Sequence, residues 1–171
     1  SNIVMGVFGQ VLNSMGYKAD ILQSSFVSFD NSFSVKANNN WVEEVRGYNS
    51  AASLLLKTKD ETQRLMVYKK SKSEFPSTFT IEGFEKIVAA GFEKQGLDKG
   101  SNNFTTINIK GFQVKQIKLH QSSEGIDVNY LLSLIETDEG FYQVDAWTFE
   151  SEYEKYVSDF EEIANSFELL K

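Results

Sequence analysis

The sequence predicts an α+β fold: a central, largely antiparallel β-sheet with helices on both faces. Three observations carry this. The stretch Ile126–Phe167 reads as a strand (Val128–Asp138), a tight Glu139-Gly140 turn, a second strand (Phe141–Phe149) and an amphipathic helix (Glu152–Phe167). In the first of those strands Val128, Tyr130, Leu132 and Leu134 fall on one face and Leu131 and Ile135 on the other, a two-sided apolar pattern that belongs mid-sheet under cover from both sides. The upstream chain supplies further amphipathic segments to act as that cover.

The first of these is Ile3–Met15. Ile3, Val4, Val7, Phe8, Val11, Leu12 and Met15 recur at helical intervals, and Gly16 stands where a left-handed residue would end the helix. Gly6 and Gly9 each weaken it by about 1 kcal/mol relative to Ala, so it needs something to dock against. A link, Tyr17–Ser25, with room for one more helical turn, completes an N-terminal helical segment over residues 1–25. Residues 26–171 then form a single domain.

Within that domain Phe26–Phe29 and Phe33–Ala37 flank Asp30-Asn31-Ser32 as a hairpin, because Asp and Asn tolerate positive φ. Asn38-Asn39-Asn40 is a polar turn leading to Trp41. Ala51–Lys57 and Gln63–Lys70 read as neighbouring antiparallel strands. After a loop with the sole proline, Pro76, Thr80 caps a helix from Ile81 to about Gln95, with Ile81, Phe84, Ile87, Val88 and Phe92 inward and Gly96 as its stop. Phe104–Ile109 and Phe112–Gln121 are strands around Lys110-Gly111. In the latter, Phe112 and Val114 differ in parity from Ile117 and Leu119, and a bulge near Lys115-Gln116 would restore a single buried face. In the closing helix, Ser151 and Glu154 have the spacing of a capping box. Tyr153, Tyr156, Val157, Phe160, Ile163, Ala164 and Phe167 form its inward stripe.

Composition narrows the function. The chain of 171 residues is 41% apolar and 13% aromatic, enough for one substantial core. It has no cysteine, which excludes disulfides, thiolate metal sites and a cysteine nucleophile. From Glu136 to Lys171, 11 Asp and Glu stand against 2 Lys, a net of −9 in a chain whose total is −7. That acidic end disfavours nucleic acid and anionic membrane and suits a basic partner or a cation, with a solvated helix face as the plainer explanation. Lys69-Lys70-Ser71-Lys72 is too short a basic cluster to reverse this. No apolar run reaches the length of a membrane span.

Motifs of chemistry are sparse. His120 is the sole histidine; a Ser-His-acid set with Ser122 or Ser123 and Asp127 would make a hydrolytic enzyme, yet no nucleophile elbow or oxyanion-forming glycine motif accompanies it. Asp138-Glu139-Gly140 and Glu124-Gly125-Ile126-Asp127 place carboxylates in turns without calcium-loop spacing. No phosphate loop or dinucleotide fingerprint occurs, so neither cofactor nor metal is expected. Trp41, Tyr48, Tyr142 and Trp147 are candidates to line a cleft. Glu154, Glu161 and Glu162, on the acidic outer face of the last helix, are candidates to meet a partner.

Phe33-Ser34-Val35-Lys36 before Trp41, the strand Tyr142-Gln143-Val144-Asp145-Ala146-Trp147, and Phe160-Glu161-Glu162-Ile163 before Asn165-Ser166-Phe167 together resemble the PsbP-like superfamily, which includes photosystem II PsbP subunits, Mog-type Ran-binding proteins and bacterial lipoproteins. The likeness spans roughly Phe26–Phe167 and implies a PsbP-like α/β/α sandwich, to which Ile3–Met15 adds an extra helix. The chain departs from the family in having Asn38-Asn39-Asn40 where a proline often precedes the tryptophan. The resemblance implies a non-enzymatic, envelope-associated binding or accessory domain that docks a protein partner or a small ligand. It further implies an exported, membrane-anchored setting whose signal or anchor lies before Ser1, with a cytoplasmic one as the alternative. A self-associating domain using Ile3–Met15 is the remaining reading.

Overall fold

The computed structural model describes residues 23–171. The helix expected over Ile3–Met15 lies outside them. Ten strands form two antiparallel sheets. The smaller has the order β1-β2-β10, from β1 (Gln23–Val27), β2 (Phe33–Asn38) and β10 (Glu168–Leu169). The larger has seven strands in the order β3-β4-β5-β9-β8-β7-β6. These are β3 (Trp41–Glu43), β4 (Leu54–Thr58), β5 (Gln63–Ser71), β6 (Thr105–Ile109), β7 (Phe112–Ser123), β8 (Ile126–Glu136) and β9 (Gly140–Phe149). Helix α1 spans Ile81–Ala90 and helix α2 spans Tyr153–Asn165.

The two helices lie on opposite faces of the large sheet, as strand parity requires. Leu131 and Ile135 of β8 and Tyr142, Val144 and Ala146 of β9 join a core with Tyr153, Phe160 and Ile163 of α2 and with Phe33, Val35 and Ala37 of β2. Leu132, Leu134 and Phe141 point the other way, into a core with Ile81 and Phe84 of α1 and with Ile117 and Leu119 of β7. The fold is therefore the α+β sandwich expected, with the small sheet as an addition on the α2 side. Gly140 opens β9 where a Cβ would sit 2.5 Å from the Lys70 carbonyl oxygen.

Several local expectations give way to tertiary contacts. No bulge interrupts β7, which pairs with β8 in unbroken register from Gln113↔Glu136 to Ser123↔Ile126. Its change of parity is a change of covered face: Val114 enters the α2 core, whereas Ile117 and Leu119 enter the α1 core. The Ser151 box does not form either, because Ser151 is taken into a 3₁₀ turn (Glu150–Glu152) and lacks the extended backbone of an N-cap. A capping box closes instead at Ser71 and Glu74, on the short turn after β5. Helix α1 receives no side-chain bond from Thr80. Its first N–H, from Ile81, donates to Glu136 Oε2 at 3.1 Å, a carboxylate delivered by β8. The helix also ends at Ala90, and Gly96 in the left-handed region stops a separate 3₁₀ turn, Glu93–Gln95. Two short strands, β3 and β10, had no sequence signal, and β1 takes in Gln23–Ser25, which the sequence reading assigned to the helical segment.

Candidate functional site

Helix α1 packs on β7 and β8, and beside it Tyr68 of β5 and Gln143, Asp145 and Trp147 of β9 are only partly buried. Successive side chains of β9 on that side are Phe141, Gln143, Asp145 and Trp147. Phe141 is sealed beneath Phe75, Phe79 and Phe84, while the next three are only partly buried. They form the floor of a groove. One wall is Met66, Tyr68 and Lys70 of β5. The other is Phe84, Ile87 and Val88 of α1, continued by Gln95, Leu97, Gln121 and Tyr130. Two joined depressions, of about 220 and 410 Å³, share Tyr68, Gln95 and Asp145.

Hydrogen bonds hold the walls. The Tyr130 hydroxyl donates to Gln121 Oε1 at 2.8 Å, and Gln121 Nε2 donates to the Gln95 carbonyl at 3.0 Å. Asn49 Nδ2 donates to the Tyr68 hydroxyl at 2.9 Å. The Tyr130 and Trp147 rings are stacked, with centroids 5.3 Å apart and planes 28° apart. Asp145 stands on the floor among them. Gln143 Nε2 donates to both of its carboxylate oxygens at 3.0 Å, and no Lys or Arg pairs with it among the described residues. Burial pushes the Asp145 carboxyl up to about 6 against the hydrogen bonds from Gln143. Burial, followed by the Asp145 charge, also raises the Tyr130 phenol to about 12 and moves Tyr68 in the same direction. Nearby cations are engaged elsewhere. Arg64 is paired to Glu44 and lies over the Tyr48 ring at 4.5 Å, and Lys70 sits 3.9 Å from Glu74.

The four aromatics proposed from sequence do not share a cleft. Trp147 lies in the groove. Tyr48 is half exposed at the rim of the sheet, under Arg64. Tyr142 has parity opposite to Trp147 and is fully buried between Phe33 and Phe167, at ring distances of 5.4 and 4.7 Å. Trp41 is buried beside Phe160 on the α2 side. It meets Glu162 in a depression of only about 30 Å³, room for little more than water. Glu154 and Glu161 are exposed on α2, and Glu154 is paired with Lys118 at 3.1 Å.

Met66, Tyr68, Tyr130, Gln143 and Asp145 were not among the site candidates that the sequence offered. A signal was present in β9: its even positions Tyr142, Val144 and Ala146 are apolar, while Gln143 and Asp145 share the odd parity of Trp147. Polar residues on one face of a central strand mark where cover is missing.

His120 has both ring nitrogens occupied. Nδ1 is 2.9 Å from Asn129 Oδ1, and Nε2 is 3.3 Å from Asp127 Oδ1. The Asn129 bond, with the charges of Glu150 and Asp127, raises its pKa. Among the described residues no serine hydroxyl hydrogen-bonds the ring. His120, Asp127 and Glu150 each offer a ligand atom within 4.8 Å of the others, a donor set suited to a divalent cation. A protonated imidazole between two exposed carboxylates explains the cluster equally well. No helix of the described residues is long and apolar enough to cross a membrane.

No protein-family profile and no curated sequence matches the chain. Solved structures do. Cyanobacterial PsbP (CyanoP) from Synechocystis aligns over 89% of this chain and 95% of its own, at 14% identity and a TM-score of 0.64. LpqN of Mycobacterium tuberculosis aligns over 90% and 93%, at 11% identity and a TM-score of 0.61. The Saccharomyces cerevisiae Ran-binding protein Mog1p aligns over 88% and 96%, at 8% identity and a TM-score of 0.57. With the layers, strand order and paired cores described above, these matches show that the chain has the PsbP-like fold, the one these three proteins share.

Proposed function

We propose that the chain is a non-enzymatic accessory domain that docks a protein partner on the open groove over β9. The observation that carries this reading is the floor Gln143–Asp145–Trp147, left partly open by the described residues on a central strand whose opposite face is sealed. Leaving polar and aromatic groups half-buried without a covering element is costly to a lone domain and is repaid where something binds. The fold supports the reading by company: one structural neighbour is a Ran-binding protein, and LpqN is described as involved in cell envelope biogenesis. An exported, envelope-associated setting accords with the latter. The His120 cluster supports a hydrolytic reading less, since no serine hydroxyl among the described residues hydrogen-bonds the ring.

A photo-crosslinking residue placed at Gln143 in the full chain, expressed in its own cells, tests the proposal. Discrete protein adducts that disappear on Trp147→Ala are expected. Adducts obtained only from Glu161, on the outer face of α2, would move the docking surface to the acidic helix and overturn the reading.

A further inference from the structure

We propose that the groove seats an arginine side chain of the docked protein, its guanidinium stacked within the Tyr68, Tyr130 and Trp147 rings and paired to the Asp145 carboxylate. This rests on the docking reading above and specifies the chemistry of its occupant.

The argument starts from Asp145. A carboxylate on a sheet floor, bordered by aromatic rings and Met66, loses hydration that a single amide donor cannot replace. An ionised carboxylate offers about four lone-pair sites, and Gln143 Nε2 occupies one side of it. The compensating cation does not come from the described residues. Arg64 and Lys70 flank the floor on the same face of β5, yet Glu44 draws the first to the rim and Glu74 attends the second. Among the described residues, then, no Lys or Arg is paired to this aromatic-bordered carboxylate. The groove favours positive charge, because a neutral or anionic group beside Asp145 would leave its carboxylate unpaired in the same low-dielectric site.

The aromatic border selects the kind of cation. Rings presenting their faces attract a cation through the quadrupole, and a guanidinium can lie flat on a ring while its edge meets a carboxylate. An ammonium offers a compact point charge without that planar fork. The chain makes this kind of contact itself, with Arg64 over Tyr48 at 4.5 Å and Arg46 over Phe29 at 4.9 Å. The rings are also held in advance by the Tyr130–Gln121 and Asn49–Tyr68 hydrogen bonds, which reduces the ordering cost of binding. Beyond Asp145 the groove widens toward Phe84, Val88 and the exposed Ile87, an apolar shelf for the aliphatic stem and a neighbouring residue of the partner.

The test follows the indole N–H resonance of Trp147 in the full chain during titration with Nα-acetyl-arginine amide. The neutral isostere Nα-acetyl-citrulline amide is the control. Saturable, weak binding of the arginine compound is expected, with citrulline and the Asp145→Asn protein each about tenfold weaker or more. Binding should also fade as pH falls through the Asp145 pKa of about 6. Equal binding of citrulline, or full binding by Asp145→Asn, overturns the proposal. Choline binding more than about tenfold tighter than arginine would assign the groove to a small quaternary amine instead. A dimer that dissociates on Asp145→Asn would assign it to a second copy of the chain. Crosslinks from Gln143 that persist in Asp145→Asn would leave groove docking in place while removing the arginine, so the two readings fail separately.

Discussion

On the α2 side of β9, Tyr142, Val144 and Ala146 are each no more than 2% exposed, whereas on the α1 side Gln143, Asp145 and Trp147 of the same strand remain partly open. The difference lies in the covering elements. Helix α2 has 13 residues and is joined on its side by the sheet β1-β2-β10; helix α1 has 10 and is centred on β7 and β8. One face therefore closes into a core with Phe33, Tyr142 and Phe167 in mutual ring contact. The other closes around Phe141 under α1 and around Ala52, Leu55 and Met66 at the β4 side, and between them Gln143, Asp145 and Trp147 stay partly open. Stability should reside in the closed face and recognition in the open one, and substitutions on the two sides should separate these properties.

The largest effect is expected from Phe167→Ala, which empties the centre of the closed face. It should lower the unfolding free energy in urea by about 3–5 kcal/mol. Trp147→Ala, removing an aromatic of greater size from the open face, should cost only about 1–2 kcal/mol because the site is already partly hydrated. Equal losses at the two sites would break the comparison.

Asp145→Asn should move stability in the opposite direction. The folded pKa of about 6 exceeds the ordinary 3.8, so the folded state holds its proton to higher pH than the unfolded chain. The favourable contribution is fully present below about pH 4 and is lost as pH rises through about 6. Asparagine, neutral throughout, should be more stable than the wild type by roughly 2 kcal/mol near pH 8 and close to equal near pH 3.5, read from paired urea titrations. A variant that gains stability while losing arginine binding would mark Asp145 as kept for recognition. A pH-independent difference would mean that the carboxylate is better solvated than its surroundings indicate.

The smallest effect concerns the caps. Ser71→Ala should cost about 0.5–1 kcal/mol, because its hydroxyl and Glu74 close a reciprocal pair of bonds. Ser151→Ala should be nearly neutral, within about 0.5 kcal/mol, since its hydroxyl caps nothing. Thermal denaturation of the two variants side by side decides this.

Which parts were legible follows from how local each signal is. The hairpin at Asp30-Asn31-Ser32 is recorded in adjacent residues: Asn31 takes a φ of 59°, and Asp30 accepts hydrogen bonds from Ser28 and Ser32. The α2 stripe and the two-sided β8 are recorded in periodicity, and both appear, although the helix stops at Asn165 so that Phe167 fills the core from beyond its end, and the strand runs Ile126–Glu136 rather than Val128–Asp138. The bulge in β7 was a wrong inference from a true observation, because a parity change can be absorbed by a second core as well as by an extra residue. The candidate site was half legible. Trp147 was named, but Tyr68 and Tyr130 look like any other strand aromatics until β5 and β8 are known to flank β9.

By itself, then, the sequence determined the α+β class, the strand–turn–strand–helix unit and the residues able to fill a core. Periodicity and turn chemistry act over a few residues, and those properties need nothing more. Tertiary structure alone decided which face each aromatic serves. It separated Tyr142 from Trp147, supplied the Glu136 carboxylate to the start of α1, and left Asp145 among rings with no cation paired to it among the described residues. Such contacts join residues tens of positions apart, and their pairing depends on strand order and helix length, which no short window of sequence contains.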